Sequence, residues 1–99
     1  MGGFVYIMAS KRNGTLYIGV TSNLIQRVWQ HRESVVPGFT KTYNMKLLVY
    51  YEEFGDISDA IQREKNLKHW VRRWKVQLIE TSNPKWDDLW PAIVGLEPE

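Results

Sequence analysis

The chain has no cysteine, which excludes both a disulfide framework and a zinc site built on thiolates and fits a reducing compartment. Long apolar runs are missing too. The stretch from Phe4 to Ala9 is far short of the roughly 20 residues that span a bilayer. The N-terminal region also lacks the basic start and extended apolar core of a signal peptide. A soluble, cytoplasmic protein is therefore expected. There are no internal repeats and no low-complexity segments. Acidic residues are scarce in the first half, where residues 1–51 hold Glu33 alone against six Lys and Arg.

The remaining acids come in blocks. Four fall in residues 52–59 and five in the tail from residue 80, whereas residues 62–77 carry six Lys and Arg against Glu64. The net charge of +2 thus conceals segregated patches. Basic blocks gathered on one surface are the footprint of a nucleic-acid partner; solvated faces are the plainer reading. The 99 residues have room for one domain, marginally stable by size but helped by five tryptophans, each burying a large apolar area.

Gly3 to Ser10 is rich in β-branched and aromatic residues and predicts a strand. Asn13-Gly14 is a hairpin signal, with Leu16 to Val20 as the partner strand. With Lys11 to Gly14 as the loop, Tyr17 pairs with Met8 and Tyr6 with Gly19. The two phenols then become diagonal neighbours on one face, with open space at the glycine. Two core tyrosines are the common outcome on such a hairpin.

Thr21, Ser22 and Asn23 are capping residues, and Asn23 with Gln26 fits a capping box. In the helix that follows, Leu24, Ile25, Val28 and Trp29 make one apolar arc and Gln26 and Gln30 point to solvent. Arg27 and His31, four apart, share a face at the edge of that arc. Two cationic or proton-carrying side chains just after a tyrosine-bearing strand suit a phosphate-handling site. Residues 35–44 read as a loop carrying Lys41 and Tyr43. Lys46 to Phe54 reads as a strand at the sheet centre.

Asp56 caps the next helix, whose stripe is Ile57, Ala60, Ile61, Leu67 and Val71. Glu64 lies within that stripe and Lys68 one turn on. An inward carboxylate must be paired, protonated or metal-bound; an i,i+4 ion pair with Lys68 and a divalent-cation site are both open. Helical pattern continues to Ile79 without Gly or Pro, and two helices with a break near His69 are expected. Asn83-Pro84 predicts an Asn-capped turn with Pro in the first helical position. Trp86, Leu89 and Trp90 then share a docking face, and the tail from Pro91 is loose.

Val5-Tyr6-Ile7 and, after an interval of ten residues, Tyr17-Ile18-Gly19 resemble the two signature motifs of the GIY-YIG nuclease superfamily. Arg27, His31 and Glu64 fall where that superfamily carries its arginine, its histidine-or-tyrosine and its metal-binding glutamate. The likeness spans roughly residues 3–90 and is strongest to small standalone bacterial members. The ordered set is far more specific than either triplet alone. Val5 replaces a glycine in the first motif, and Val20 stands where some relatives have a lysine.

The resemblance implies an α/β (α+β) fold: a small three-stranded, mainly antiparallel sheet flanked by helices in β-β-α-β-α-α order. A single domain covers residues 3–90, followed by a loose tail over 91–99. It also implies a metal-dependent endonuclease acting on DNA in preference to RNA, with a place in repair or recombination and a partner protein supplying specificity. One Mg²⁺ or Mn²⁺ would sit on Glu64, weakly held without substrate. Tyr17 would act as general base held by Tyr6, and Arg27 would bind the scissile phosphate. His31 would assist the base or relay a proton. Lys41 and Lys68 would contact nucleic acid, with Tyr43 and Asn83 as weaker candidates. A nucleic-acid-binding module that keeps this scaffold and cuts poorly is the alternative, and an interaction domain with these residues in its core is a third.

Overall fold

The structure, a computed structural model, describes residues 1–33 and 44–95. In chain order its elements are β1 (Gly3–Ala9), β2 (Leu16–Thr21), α1 (Leu24–Arg32), β3 (Leu47–Phe54), α2 (Ile57–His69), α3 (Arg72–Ser82) and α4 (Trp90–Ile93). The strands form one antiparallel sheet in the order β2-β1-β3.

This order corrects the placement of β3 at the centre. The central strand is β1, which carries no charge and buries five consecutive residues from Val5 to Ala9. Because side chains alternate along a strand, Val5, Ile7 and Ala9 face Ala60, Leu67 and Ile79 of α2 and α3. Tyr6 and Met8 face Leu24 and Val28 of α1. The sheet is thus sandwiched between α1 on one side and α2 with α3 on the other.

The outer edge of β3 is apolar because later chain covers it. Val49 is an extra residue between the Ile7–Tyr50 and Met8–Leu48 pairs, a bulge. Its carbonyl accepts from Asn83 Nδ2 at 3.0 Å. Leu89 N–H donates to Leu48 O at 2.8 Å, and Leu48 N–H to Asp88 Oδ1 at 3.2 Å. An edge strand bridged in this way is no template for another chain.

The hairpin register is as expected, with Tyr6 opposite Gly19 and Met8 opposite Tyr17. The Lys11–Gly14 loop closes with Gly14 N–H on Lys11 O at 2.9 Å. Asn13 takes the left-handed conformation that the turn requires (φ 59°).

In α1 the Asn23 side chain accepts from Gln26 N–H at 3.1 Å. Thr21 Oγ1, rather than Gln26, takes the Asn23 N–H at 3.0 Å, so only half of the capping box forms. The buried stripe is Leu24, Val28 and His31. Ile25 and Trp29, each 48% exposed, turn away from it, because the sheet is narrow and tyrosine rings fill the space beside Val28.

The break near His69 is present: Trp70 and Val71 are extended (ψ 146° and 152°). Trp70 packs against the core, with the Arg63 guanidinium 5.2 Å from the centroid of its ring. Of the stripe expected on α2, Ala60 and Leu67 are buried, whereas Ile61 and Val71 are exposed.

Asn83 ends α3 instead of starting a helix, and the proline in the first turn of α4 is Pro91. Trp86 joins the α2–α3 side of the core, while Leu89 and Trp90 join the α1 side. These aromatics therefore straddle the β3 edge and do not share one helical face. The boundary drawn after residue 90 falls inside α4, whose Ile93 packs against the α1-side core.

Candidate active site

Tyr6 is fully buried on the central strand, and its ring lies across Gly19 of β2. A Cβ at position 19 would stand 2.4 Å from both Cζ and the hydroxyl oxygen of Tyr6. Only a residue without a side chain lets the phenol occupy that place. The Tyr6 hydroxyl lies 2.8 Å from His31 Nε2. Tyr17 completes a cluster of rings, its centroid 6.3 Å from that of Tyr6 and 5.3 Å from that of His31. The expected neighbourhood of the two tyrosines is therefore present, with His31 in contact with both.

Burial, reinforced by the nearby Tyr17, pushes the Tyr6 hydroxyl up to about 12. It stays protonated at neutral pH and donates to the imidazole. The Arg27 guanidinium works against this rise, and the Glu64 carboxylate adds to it electrostatically. Burial and then the Arg27 charge pull His31 down to about 4. Of the pair on α1, only Arg27 is therefore cationic at neutral pH. His31 is the neutral partner of a phenol.

An acid step follows. His31 is 1% exposed, so the unfolded chain binds a proton on this imidazole below about pH 6.5, whereas the folded chain resists until about 4. Stability is complete above the upper value and falls as pH drops through the window, by about 3 kcal/mol. Urea midpoints measured between pH 7 and 4 should show this decline. It should flatten in His31→Gln, whose amide can still accept from Tyr6. An equal decline in the variant would assign the acid step to other groups.

Arg27 is half-buried, and its Nη1 donates to Gln30 Oε1 at 3.2 Å. Gln30, expected in solvent, instead orients the guanidinium; its position one turn on from Arg27 was the available signal. Glu64 is in the stripe of α2, its side chain 15% exposed and 3.5 Å from Lys68 Nζ. Lys68 and Lys75 line a hollow with Tyr17. Lys75 was not among the expected residues, because only the turn at Trp70–Val71 brings it beside Lys68.

Lys41 and Tyr43 lie outside the described residues. Asn83 is at the far side of the sheet from β2, its amide engaged by Val49 O, Asp87 O and Asp87 N–H. It braces the β3 edge and does not join the tyrosine cluster.

The described residues contain no cluster of three or more His, Cys, Asp or Glu for a metal ion. A lone, partly buried carboxylate such as Glu64, beside Lys68, fits Mg²⁺ or Mn²⁺, which keep waters and take substrate oxygens for most of their shell. No described helix is long and apolar enough to cross a membrane.

Residues 2–77 match the family model described as the GIY-YIG catalytic domain. The chain belongs to the GIY-YIG family. This is a family of nuclease domains, which generally use divalent metal ions and act on nucleic acid. Relatives of this GIY-YIG protein include a UPF0213 protein of Staphylococcus haemolyticus, 38% identical over 77 residues that cover 78% of this chain and 93% of the relative. A UPF0213 protein of Clostridium perfringens is 34% identical over 82 residues, covering 83% and 87%. The fold is similar to the solution NMR structure of a UPF0213 protein from Bacillus halodurans, with a TM-score of 0.57 and 25% identity over 92% of this chain and 96% of that one. The bracing segment around Asn83–Leu89 lies beyond the family match.

Proposed function

We propose that this GIY-YIG protein is a divalent-metal-dependent endonuclease that hydrolyses phosphodiester bonds in DNA, acting in the cytoplasm in repair or recombination. The observation that carries this reading is the convergence of Tyr6, Tyr17, Arg27 and His31 from β1, β2 and α1, with Glu64 of α2 in electrostatic range.

Glu64 would hold one Mg²⁺ or Mn²⁺, which when bound supplies charge neutralisation on the phosphoryl oxygens and stabilises the leaving oxygen. Arg27, fixed by Gln30, offers its planar fork to the scissile phosphate. Tyr17 takes the proton of the attacking water at its oxygen, starting as the phenolate that the Arg27 and Lys68 charges favour and ending as the neutral phenol. Tyr6, held protonated, acts as a positioning residue. It fixes His31 by donating to Nε2, and its ring shapes the floor under Tyr17. His31, neutral at physiological pH, provides a proton-accepting nitrogen next to the phenols.

The test is cleavage of a panel of labelled DNA and RNA structures (single strands, duplexes, branches) with Mg²⁺, Mn²⁺ or EDTA, beside Glu64→Ala. Cutting with either metal, absent in EDTA and in the variant, is the expected result. Metal-independent cutting would overturn the mechanism. Salt-dependent binding with no product, even with Mn²⁺, would instead assign the chain as a binding module on the nuclease scaffold.

A further inference from the structure

We propose that the sugar–phosphate backbone of the bound DNA strand leaves the tyrosine cluster along β2 toward the β1–β2 turn, held by Lys68, Lys75 and Arg72. This path rests on the nuclease reading above and adds Lys75 and Arg72, which that reading does not use.

The hollow that Lys68 and Lys75 share with Tyr17 adjoins a second one. Leu16 and Lys75 line both, and the second continues to Asn13, Gly14 and Arg72. Among the described residues, no acidic side chain lines either hollow. The cations come from two helices, Lys68 from the last turn of α2 and the others from the first turn of α3. They converge on one strand only because the chain reverses at Trp70–Val71.

The Arg72 guanidinium is already fixed at the turn. Its Nη2 donates to Asn13 O at 3.0 Å and Gly14 O at 2.6 Å, which leaves its other N–H groups for an anion. Lys75 is half-buried and lines both hollows beside Leu16, which suits a lysine whose apolar stem is covered while its ammonium stays available. The cations thus line a course from Tyr17, near the start of β2, to the turn, which the charged backbone of one DNA strand can follow.

The test is fluorescence anisotropy with a short labelled single-stranded DNA and its duplex, with Ca²⁺ in place of Mg²⁺, over a series of salt concentrations. Lys75→Gln should weaken binding about fivefold at low salt and lower the slope of log K against log salt by about one. Lys75→Arg should restore both. Lys85→Gln, an exposed lysine beyond the opposite edge of the sheet, should bind as the unaltered protein does. If Lys75→Gln binds normally, or if Lys85→Gln weakens binding equally, the path is overturned while the nuclease reading stands. If the unaltered protein binds neither DNA, both fall together.

Discussion

Gly19→Ala is expected to destabilise the domain by about 2–6 kcal/mol and to abolish cleavage. The backbone at Gly19 is not in the left-handed region, so the effect is purely steric. The new methyl carbon would stand 2.4 Å from Tyr6 Cζ and 2.8 Å from Cε1, far inside van der Waals contact. The ring has nowhere to go, because Tyr6 is fully buried, tied to His31 and flanked by Tyr17. Overpacking a core in this way costs about 1–3 kcal/mol, and a displaced buried hydroxyl adds about 1–3 more. Such a loss is a large part of a small domain's typical stability of about 5–15 kcal/mol. A double-mutant cycle with Tyr6→Leu isolates the contact. Urea denaturation should show the pair of changes costing clearly less than their separate sum. Additive costs would mean that the ring does not rest on Gly19.

Glu64→Ala is expected to lower metal-dependent cleavage at least about a hundredfold, since an ion that neutralises phosphoryl charge contributes several kcal/mol to the transition state. Its effect on stability should stay under about 1 kcal/mol. Among the described residues, the ion pair it loses is with a half-exposed lysine, and such pairs contribute little. Activity and folding should therefore separate in this variant, unlike in Gly19→Ala. Glu64→Gln should behave in the same way, because a neutral amide is a poor ligand for a hard cation. Retained Mn²⁺-dependent cutting in either variant would remove Glu64 from the metal site.

The features that local chemistry controls were legible in the sequence. The Asn13-Gly14 turn and loop length set the register, and with it the meeting of Tyr6, Gly19 and Tyr17. The caps at Asn23 and Asp56 needed only their own side chains and the next backbone N–H. Features decided by distant chain were not. Leu47–Tyr51 is apolar like a central strand, yet it lies at an edge that Asn83, Asp88 and Leu89 cover. A helical wheel marks Ile25 and Trp29 as apolar but cannot show that the sheet is too narrow to receive them. Lys75 acquires its place beside Lys68 only through the extended residues Trp70 and Val71, which no Gly or Pro announces.

The bracing of β3 has a consequence in time. Ribosomes add about 5–20 residues per second, so β3 and its partner β1 are complete several seconds before Asp88 and Leu89 are made. During that interval the hairpin and β3 can pair, but the Leu48 and Val49 carbonyls on the outer edge have not met their partners. A nascent chain is thus most open to pairing with a neighbour on the same messenger just before residues 83–89 are made, and that segment closes the window.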